Sequence, residues 1–157
     1  MANEEHVAML KKGADAWNRW CDENVNIRPD LAHANLDRTD LFEANLAGAD
    51  LTGASLTGAS LAGADLTRAN ISKANLKRAH LTAATLRGAD LTEADLTGAN
   101  LNGADLAETT LQKTVFGFIP FDTVKGLEHC RHLGPSSINN LVLERSKPRF
   151  LLPSCAA

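Results

Sequence analysis

The sequence has no tyrosine, five phenylalanines and two tryptophans, so aromatic residues make up only 4% of its 157 positions. A core built around a few large rings is excluded, and whatever core exists has to come from aliphatic side chains. No apolar stretch approaches the ~18–20 residues of a membrane span. The acidic opening Met1-Ala2-Asn3-Glu4-Glu5-His6 lacks the basic-then-apolar order of a secretory signal. The three cysteines, Cys21, Cys130 and Cys155, are odd in number and far apart, which argues against a disulfide framework and for a reducing cytoplasm. Positive charge is not in excess either. Sixteen Lys and Arg face nineteen Asp and Glu, a net charge of −3, so a strongly basic nucleic-acid binder is not expected.

What the sequence does have is a period of five. Leu31, Leu36, Leu41, Leu46, Leu51, Leu56, Leu61, Leu66, Ile71, Leu76, Leu81, Leu86, Leu91, Leu96, Leu101, Leu106 and Leu111 fall at every fifth position, and Phe116 and Phe121 continue the series. Two residues before each from Leu36 to Phe116 stands a small residue, Ala at most units and Thr at Thr39, Thr109 and Thr114. Between the two sits mostly Asp, Asn, Ser or Thr. Five matches neither the helical nor the strand period. Within a unit, however, Ala and Leu are two apart and face the same way on an extended segment, while the polar residue between them faces the other way. The two small or polar residues after Leu can turn a corner, with Gly second at several units where a positive φ suits it. Extended edges and corners in alternation wind into a coil with Leu and Ala inside, and successive coils stack at about 4.8 Å.

These units resemble the pentapeptide-repeat family, whose consensus is A(D/N)LXX. The match runs from about Asp30 to Phe121, about nineteen units. The resemblance implies an all-β solenoid: a right-handed quadrilateral β-helix with four units per coil, here nearly five coils. Leu31, Leu51, Ile71, Leu91 and Leu111 are then expected to stack on one inner face, and Leu36, Leu56, Leu76, Leu96 and Phe116 on the next. The segment Trp17–Trp20 with Arg28-Pro29-Asp30-Leu31, and the segment Lys125–Ile138, resemble the head and tail of a bacterial subset of the family, some of whose members continue into a TIR-like domain. No TIR chemistry is carried over to this chain.

The organisation expected from the pattern has three parts. Residues 1–29 form an N-terminal capping helix and lead-in turn, residues 30–121 the β-helix, and residues 122–157 a C-terminal capping tail. Residues 4–23 read as one amphipathic helix, with Val7, Leu10, Ala14, Trp17 and Cys21 on one face. Asn3 is placed to cap its start, and Trp17 or Trp20 to cover the open first coil. In the tail, Gly134-Pro135-Ser136-Ser137 reads as a turn into a short helix bearing Ile138, Leu141 and Val142. The tail is expected to fold back over the last coil.

Little in the sequence points to chemistry. His129, Cys130 and His132 are the only cluster of reactive types, and the paired spacing of a structural zinc site is missing. Cys130 and the adjacent His129 face opposite ways on an extended chain, so a Cys/His dyad between neighbours is not expected. The Asp and Asn of the repeat read as backbone hydrogen-bonding groups on a solvated face. No metal, cofactor or catalytic residue is therefore expected.

Charge is distributed unevenly along the rod. Residues 30–49 carry a net −3, 50–69 a net −1, 70–89 a net +4 from Lys73, Lys77, Arg78 and Arg87, and 90–109 a net −5. A basic ring thus lies between acidic segments, either a solvated face or a docking site for an acidic partner. Phe42 occupies an outward position where other units have Thr, Ala or Ser, either packed under the N-terminal helix or anchoring a partner. Phe42, Lys73, Lys77, Arg78 and Arg87 are the candidate interaction surface.

The functional expectation is a non-catalytic protein–protein interaction scaffold in the cytoplasm, with an unknown protein partner and no direct contact with nucleic acid or membrane. A monomer is expected, with a homodimer through the C-terminal end as the alternative. Family resemblance supplies the second functional reading, a DNA mimic that modulates DNA gyrase or topoisomerase.

Placing a charge in the expected core tests the inward assignment. Leu76→Lys should cost upwards of 4 kcal/mol and unfold the rod. A melting temperature within a few degrees of wild type would refute it.

Overall fold

The computed structural model describes residues 2–133 and the backbone of 137–138. Two helices, α1 (Glu4–Leu10) and α2 (Ala14–Glu23), precede a β-helix whose first coil begins at Asp30. From Asp30 to Lys125, each isolated bridge of the β-helix is parallel and joins residues twenty apart. The bridges fall into four columns, one to a side. The first runs Asp30, Asp50, Asn70, Asp90; the second Asn35, Ser55, Asn75, Asp95; the third Asp40, Ser60, His80, Asn100; the fourth Asn45, Asp65, Thr85, Asp105.

Backbone hydrogen-bond accounting explains the five-residue unit. In residues 50–54, the N–H of Asp50 donates down to Pro29 O at 2.8 Å, and those of Leu51 and Gly53 donate up to Asn70 O at 2.7 Å and Ser72 O at 2.8 Å. The N–H of Ala54 closes the corner on Leu51 O at 3.0 Å. One N–H remains, that of Thr52, and Asp50 Oδ1 accepts it at 3.0 Å. The polar residue before Leu thus serves the one donor that the coil-to-coil ladder misses, the Asx geometry that Asp and Asn favour. The same bond recurs from Asn35, Asp65, Asn70, Asp90, Asp95 and Asp105. Where Ser55 stands in place of Asp or Asn, Asp37 reaches over from the coil before and takes the N–H of Thr57 at 2.9 Å.

The corner geometry is uniform. Every fifth residue from His33 to Phe118 has φ between 53° and 71°. Glycine is thus not required for the left-handed corner, since Arg38, Lys73, Arg78 and others adopt it too. Each such residue pays about 1–2 kcal/mol for the conformation, offset by an N–H seated on the next coil, as Lys73 N on Thr92 O at 2.8 Å. The glycines answer a second need. A Cβ at Gly98 would lie 3.6 Å from Arg78 Cγ, and one at Gly53 only 2.6 Å from His33 Nδ1. Long corner side chains lie along the rod edge over the glycine of the next coil.

Inside the rod, the Leu and Ile series from Leu31 to Leu111 is buried, as are Phe116 and the Ala residues of each unit. Each Leu is worth about 1.5–3 kcal/mol on burial. Phe121 departs from the pattern: it is half-buried and lies edge-on to Phe116, with ring centroids 5.4 Å apart. Ile119, at the small position of its unit, takes the buried place instead. Thr109 and Thr114, also at small positions, are buried with their hydroxyls on Leu106 O at 2.7 Å and Leu91 O at 2.8 Å.

The single N-terminal helix expected over residues 4–23 is two. Asn3 caps α1 through Glu5 N and His6 N, and the chain breaks at Gly13, whose φ of 105° few other residues adopt. The break lets both helices turn apolar side chains onto the rod, Leu10 from α1 and Trp17 from α2, each wholly buried. No helix among the described residues is long and apolar enough to cross a membrane.

The tail differs from expectation over the part the structure describes. It does not fold back after Phe121 but keeps winding. Lys125 bridges Asp105, twenty residues before it. Strand β1 (Thr110–Leu111) then pairs in parallel with β3 (Arg131–His132), and β2 (Val115–Phe116) with β4 (Ser137–Ile138). The separation grows from 20 to 21 and then 22 residues; the 3-10 turn at Leu127–His129 lies in the stretch that adds the first extra residue. Ser137 and Ile138 are extended rather than helical; the expected turn at Gly134–Ser136 and the contributions of Leu141, Val142 and Cys155 lie outside the described residues.

The irregular coil hinges on Gly126, where φ is 74° and an added Cβ would lie 2.5 Å from Ala107 N. Gly126→Ala should therefore lower stability by more than the ~1–2 kcal/mol of left-handed strain alone, with the loss of amide-exchange protection greatest at Lys125 and Arg131. An unchanged melting temperature would contradict the close stacking of this coil on Ala107.

Candidate interaction surface

The four basic residues occupy one coil but do not share one side. Lys77 projects from the second side, Lys73 and Arg78 from the corners that flank it, and Arg87 from the fourth side, two sides away. Lys73, Lys77 and Arg78 are thus brought together and Arg87 is not.

Their charges are also unequally available. Lys77 Nζ lies 3.0 Å from Asp95 Oδ2, the second-column residue of the next coil, which bridges Asn75. Arg87 reaches Asp105 Oδ2 at 3.5 Å and Glu108 Oε1 at 3.2 Å. The acidic segment that follows the basic one is therefore its ion-pair partner within the rod, through half-exposed contacts of at most about 1 kcal/mol each. Lys73 and Arg78 make no ion pair among the described residues; Glu93, above Lys73 on the same corner, pairs with Lys113 at 3.7 Å.

Three carboxylates, those of Asp95, Asp50 and Asp37, have their pKa values lowered by their surroundings. Partial burial pushes Asp95 up, but the hydroxyl and N–H of Thr97 and the Lys77 ammonium outweigh it, and its pKa lies below the usual value. Asp50 behaves in the same way, with Thr52, Arg28 and His33 outweighing its burial. The Ser55 hydroxyl, 2.5 Å away, is the main cause holding Asp37 low.

Phe42 does not pack under the helices. It stands on the third side of the first coil, 52% exposed. Around it the coil edge is covered unevenly. On the first side, Asp30 N donates to His6 Nδ1 at 3.0 Å and Asp30 O accepts from Asn3 N at 3.1 Å. On the fourth, Asn45 N donates to Asn18 Oδ1 at 2.7 Å, and Asn45 O accepts from Trp17 Nε1 at 2.6 Å. Asn18 Nδ2 also donates to Glu43 O at 3.0 Å. Trp20 completes the cap, stacked on Trp17 at 5.1 Å and tilted against His6 at 4.8 Å. The helices thus supply, from side chains, bonds that a preceding coil would make. Sequence reasoning picked out Trp17 and Trp20 but missed His6 and Asn18. Their only signal was a polar residue on a helix face otherwise read as apolar.

The reactive-type cluster is dispersed. Cys130 is half-buried with its thiol on Leu106 O at 3.2 Å and Thr109 Oγ1 at 3.1 Å, and desolvation pushes its pKa up. An inert thiol fits this setting better than a nucleophile. His129 turns to Glu128 at 3.2 Å on the surface, and His132 is exposed.

Comparison with protein families matches pentapeptide repeats, in eight copies, over residues 28–58, 44–82 and 74–112. The solved structure of alr5209, a pentapeptide repeat protein from Nostoc PCC 7120, is 32% identical with a TM-score of 0.57, covering 69% of this chain and 93% of that one. Full-length QnrB1, a plasmid-mediated fluoroquinolone resistance protein, matches with a TM-score of 0.55 at 21% identity over 71% of this chain. A trypsin-treated QnrB1 gives 0.56 at 19%. This chain spans 65% and 64% of those two QnrB1 chains, and the likeness to them is one of fold. No curated protein matches.

Proposed function

The chain belongs to the pentapeptide-repeat family, and on that premise we propose that it is a non-catalytic scaffold that binds another protein through side chains set on the rod's fixed lattice. We take the winding as right-handed and quadrilateral, the two helices as its N-terminal cap and the winding tail as its C-terminal one. The proposed setting is a cytoplasmic monomer without cofactor that touches neither nucleic acid nor membrane.

The observation that carries this reading is the group around the second side. Lys73 and Arg78 flank Lys77 on adjacent corners and have no ion pair among the described residues. Two uncommitted cations on a rigid edge suit an acidic partner, and rigidity limits the entropy lost on binding. Arg87, two sides away and doubly paired, contributes less.

The second reading, a DNA mimic acting on gyrase, draws on the likeness in fold to QnrB1 and on the column Asp30, Asp50, Asp90 along the first side. Asn70 interrupts that column, so the scaffold reading is preferred.

A pull-down from source-organism lysate tests the proposal. The baits are wild type and a variant combining Lys73→Gln, Lys77→Gln, Arg78→Gln and Arg87→Gln, with gyrase supercoiling run beside them. A partner held by wild type and lost by the variant is expected, with supercoiling unaffected. Identical captures by both baits would remove the basic residues from the account, and inhibited supercoiling would replace the scaffold reading with the mimic.

A further inference from the structure

Among the described residues, the first coil is capped on two sides. Asp30 and Asn45 have both backbone groups engaged by the helical segment, whereas the N–H and C=O of Asn35 and Asp40 find no partner among the described residues. Both residues are exposed, and Phe42 is exposed immediately beyond Asp40. An uncovered row of strand donors and acceptors is a template for a further strand.

We propose that this half-edge, from Asn35 to Phe42, is a docking site for an extended basic segment of a partner protein. The geometry fixes the mode. Each side of the rod offers one bridging residue and turns a corner five residues later. A segment in register therefore bonds at Asn35, follows the corner at Arg38 and bonds again at Asp40, with an apolar contact on Phe42. Charge fixes the partner. Asp37, Asp40 and Glu43 give this stretch of the first coil three acids against Arg38 alone; Asp40 stands on the edge itself, whereas Asp37 and Glu43 lean toward the second coil, Asp37 onto Ser55 and Glu43 over Gly63. A second copy presenting the same edge would set carboxylates against carboxylates, so self-pairing is opposed. Lysine or arginine on the incoming segment is complementary.

This inference deepens the scaffold reading and rests on it, but it uses a different surface from the basic residues. The probe is a labelled synthetic peptide, Asn-Ile-Ser-Lys-Ala-Asn-Leu-Lys-Arg-Ala-His, which has the sequence of residues 70–80 and so carries two units, three cations and no acid. Binding to the full chain is read by fluorescence anisotropy at low salt. Saturable binding is expected, weakened about tenfold or more by Phe42→Ser or Glu43→Lys, a change of about 1.4 kcal/mol or more. Both variants alter exposed side chains, and unchanged melting temperatures verify that they fold. A control peptide with its three cations changed to Glu should not bind.

No saturation by the basic peptide, or equal binding by Phe42→Ser, overturns the proposal and leaves the acids as guards that keep strands off the edge. Self-association of the chain that Phe42→Ser abolishes overturns it in favour of a second copy. Failure of the peptide alongside a partner lost by the four-site Gln variant removes this inference while the scaffold reading stands.

Discussion

Each five-residue unit has five backbone N–H groups and two neighbouring coils to receive them. Three of the five are met by the ladder, up and down the rod, and one by the corner itself. The last, on the residue after Leu, is met by a side-chain oxygen, from the residue before Leu as Asp50 does for Thr52, or from the coil before as Asp37 does for Thr57. Most other features follow from this arrangement. The corner has to be left-handed to aim its N–H at the next coil, and side chains there lie along the edge, which suits glycine where one approaches closely, as at Gly53 beside His33. A small residue and a Leu are what remain for the interior.

Much of this was legible in the sequence, because a strict period repeats one local solution many times. The buried series from Leu31 to Leu111 could be read directly, and the twenty-residue columns followed from the family resemblance. The meaning of the glycines was only half legible: a positive φ was apparent, but the non-glycine corners and the alternation with long side chains depend on a neighbour twenty residues away. The ends were least legible, since each is a single solution with no repetition to average over. Gly13 splits a helix whose apolar spacing reads as continuous. Gly126 and the turn at Leu127–His129 shift the register, so a coil that goes on winding looks in sequence like the end of the pattern.

The candidate surface was legible as composition and not as geometry. A net +4 over residues 70–89 reads as a ring. In three dimensions Lys77 and Arg87 are paired with acids of the next coil, while Lys73 and Arg78, on the corners that flank the second side, make no ion pair among the described residues. The same reasoning separates the two ends of the molecule. The helical segment imitates a preceding coil with side chains, His6, Trp17 and Asn18 standing in for backbone groups, and it does so on two sides out of four. The uncovered half is where the rod's own bonding logic is left unfinished.

Residue-resolved amide exchange on the folded chain tests that logic most directly. The account predicts slow exchange at ladder amides such as Leu51, Gly53 and Asn70. In the first coil it predicts that Asp30 and Asn45 are protected and that Asn35 and Asp40 exchange freely. Equal protection at all four first-coil residues, or free exchange at Leu51 and Gly53, would contradict it.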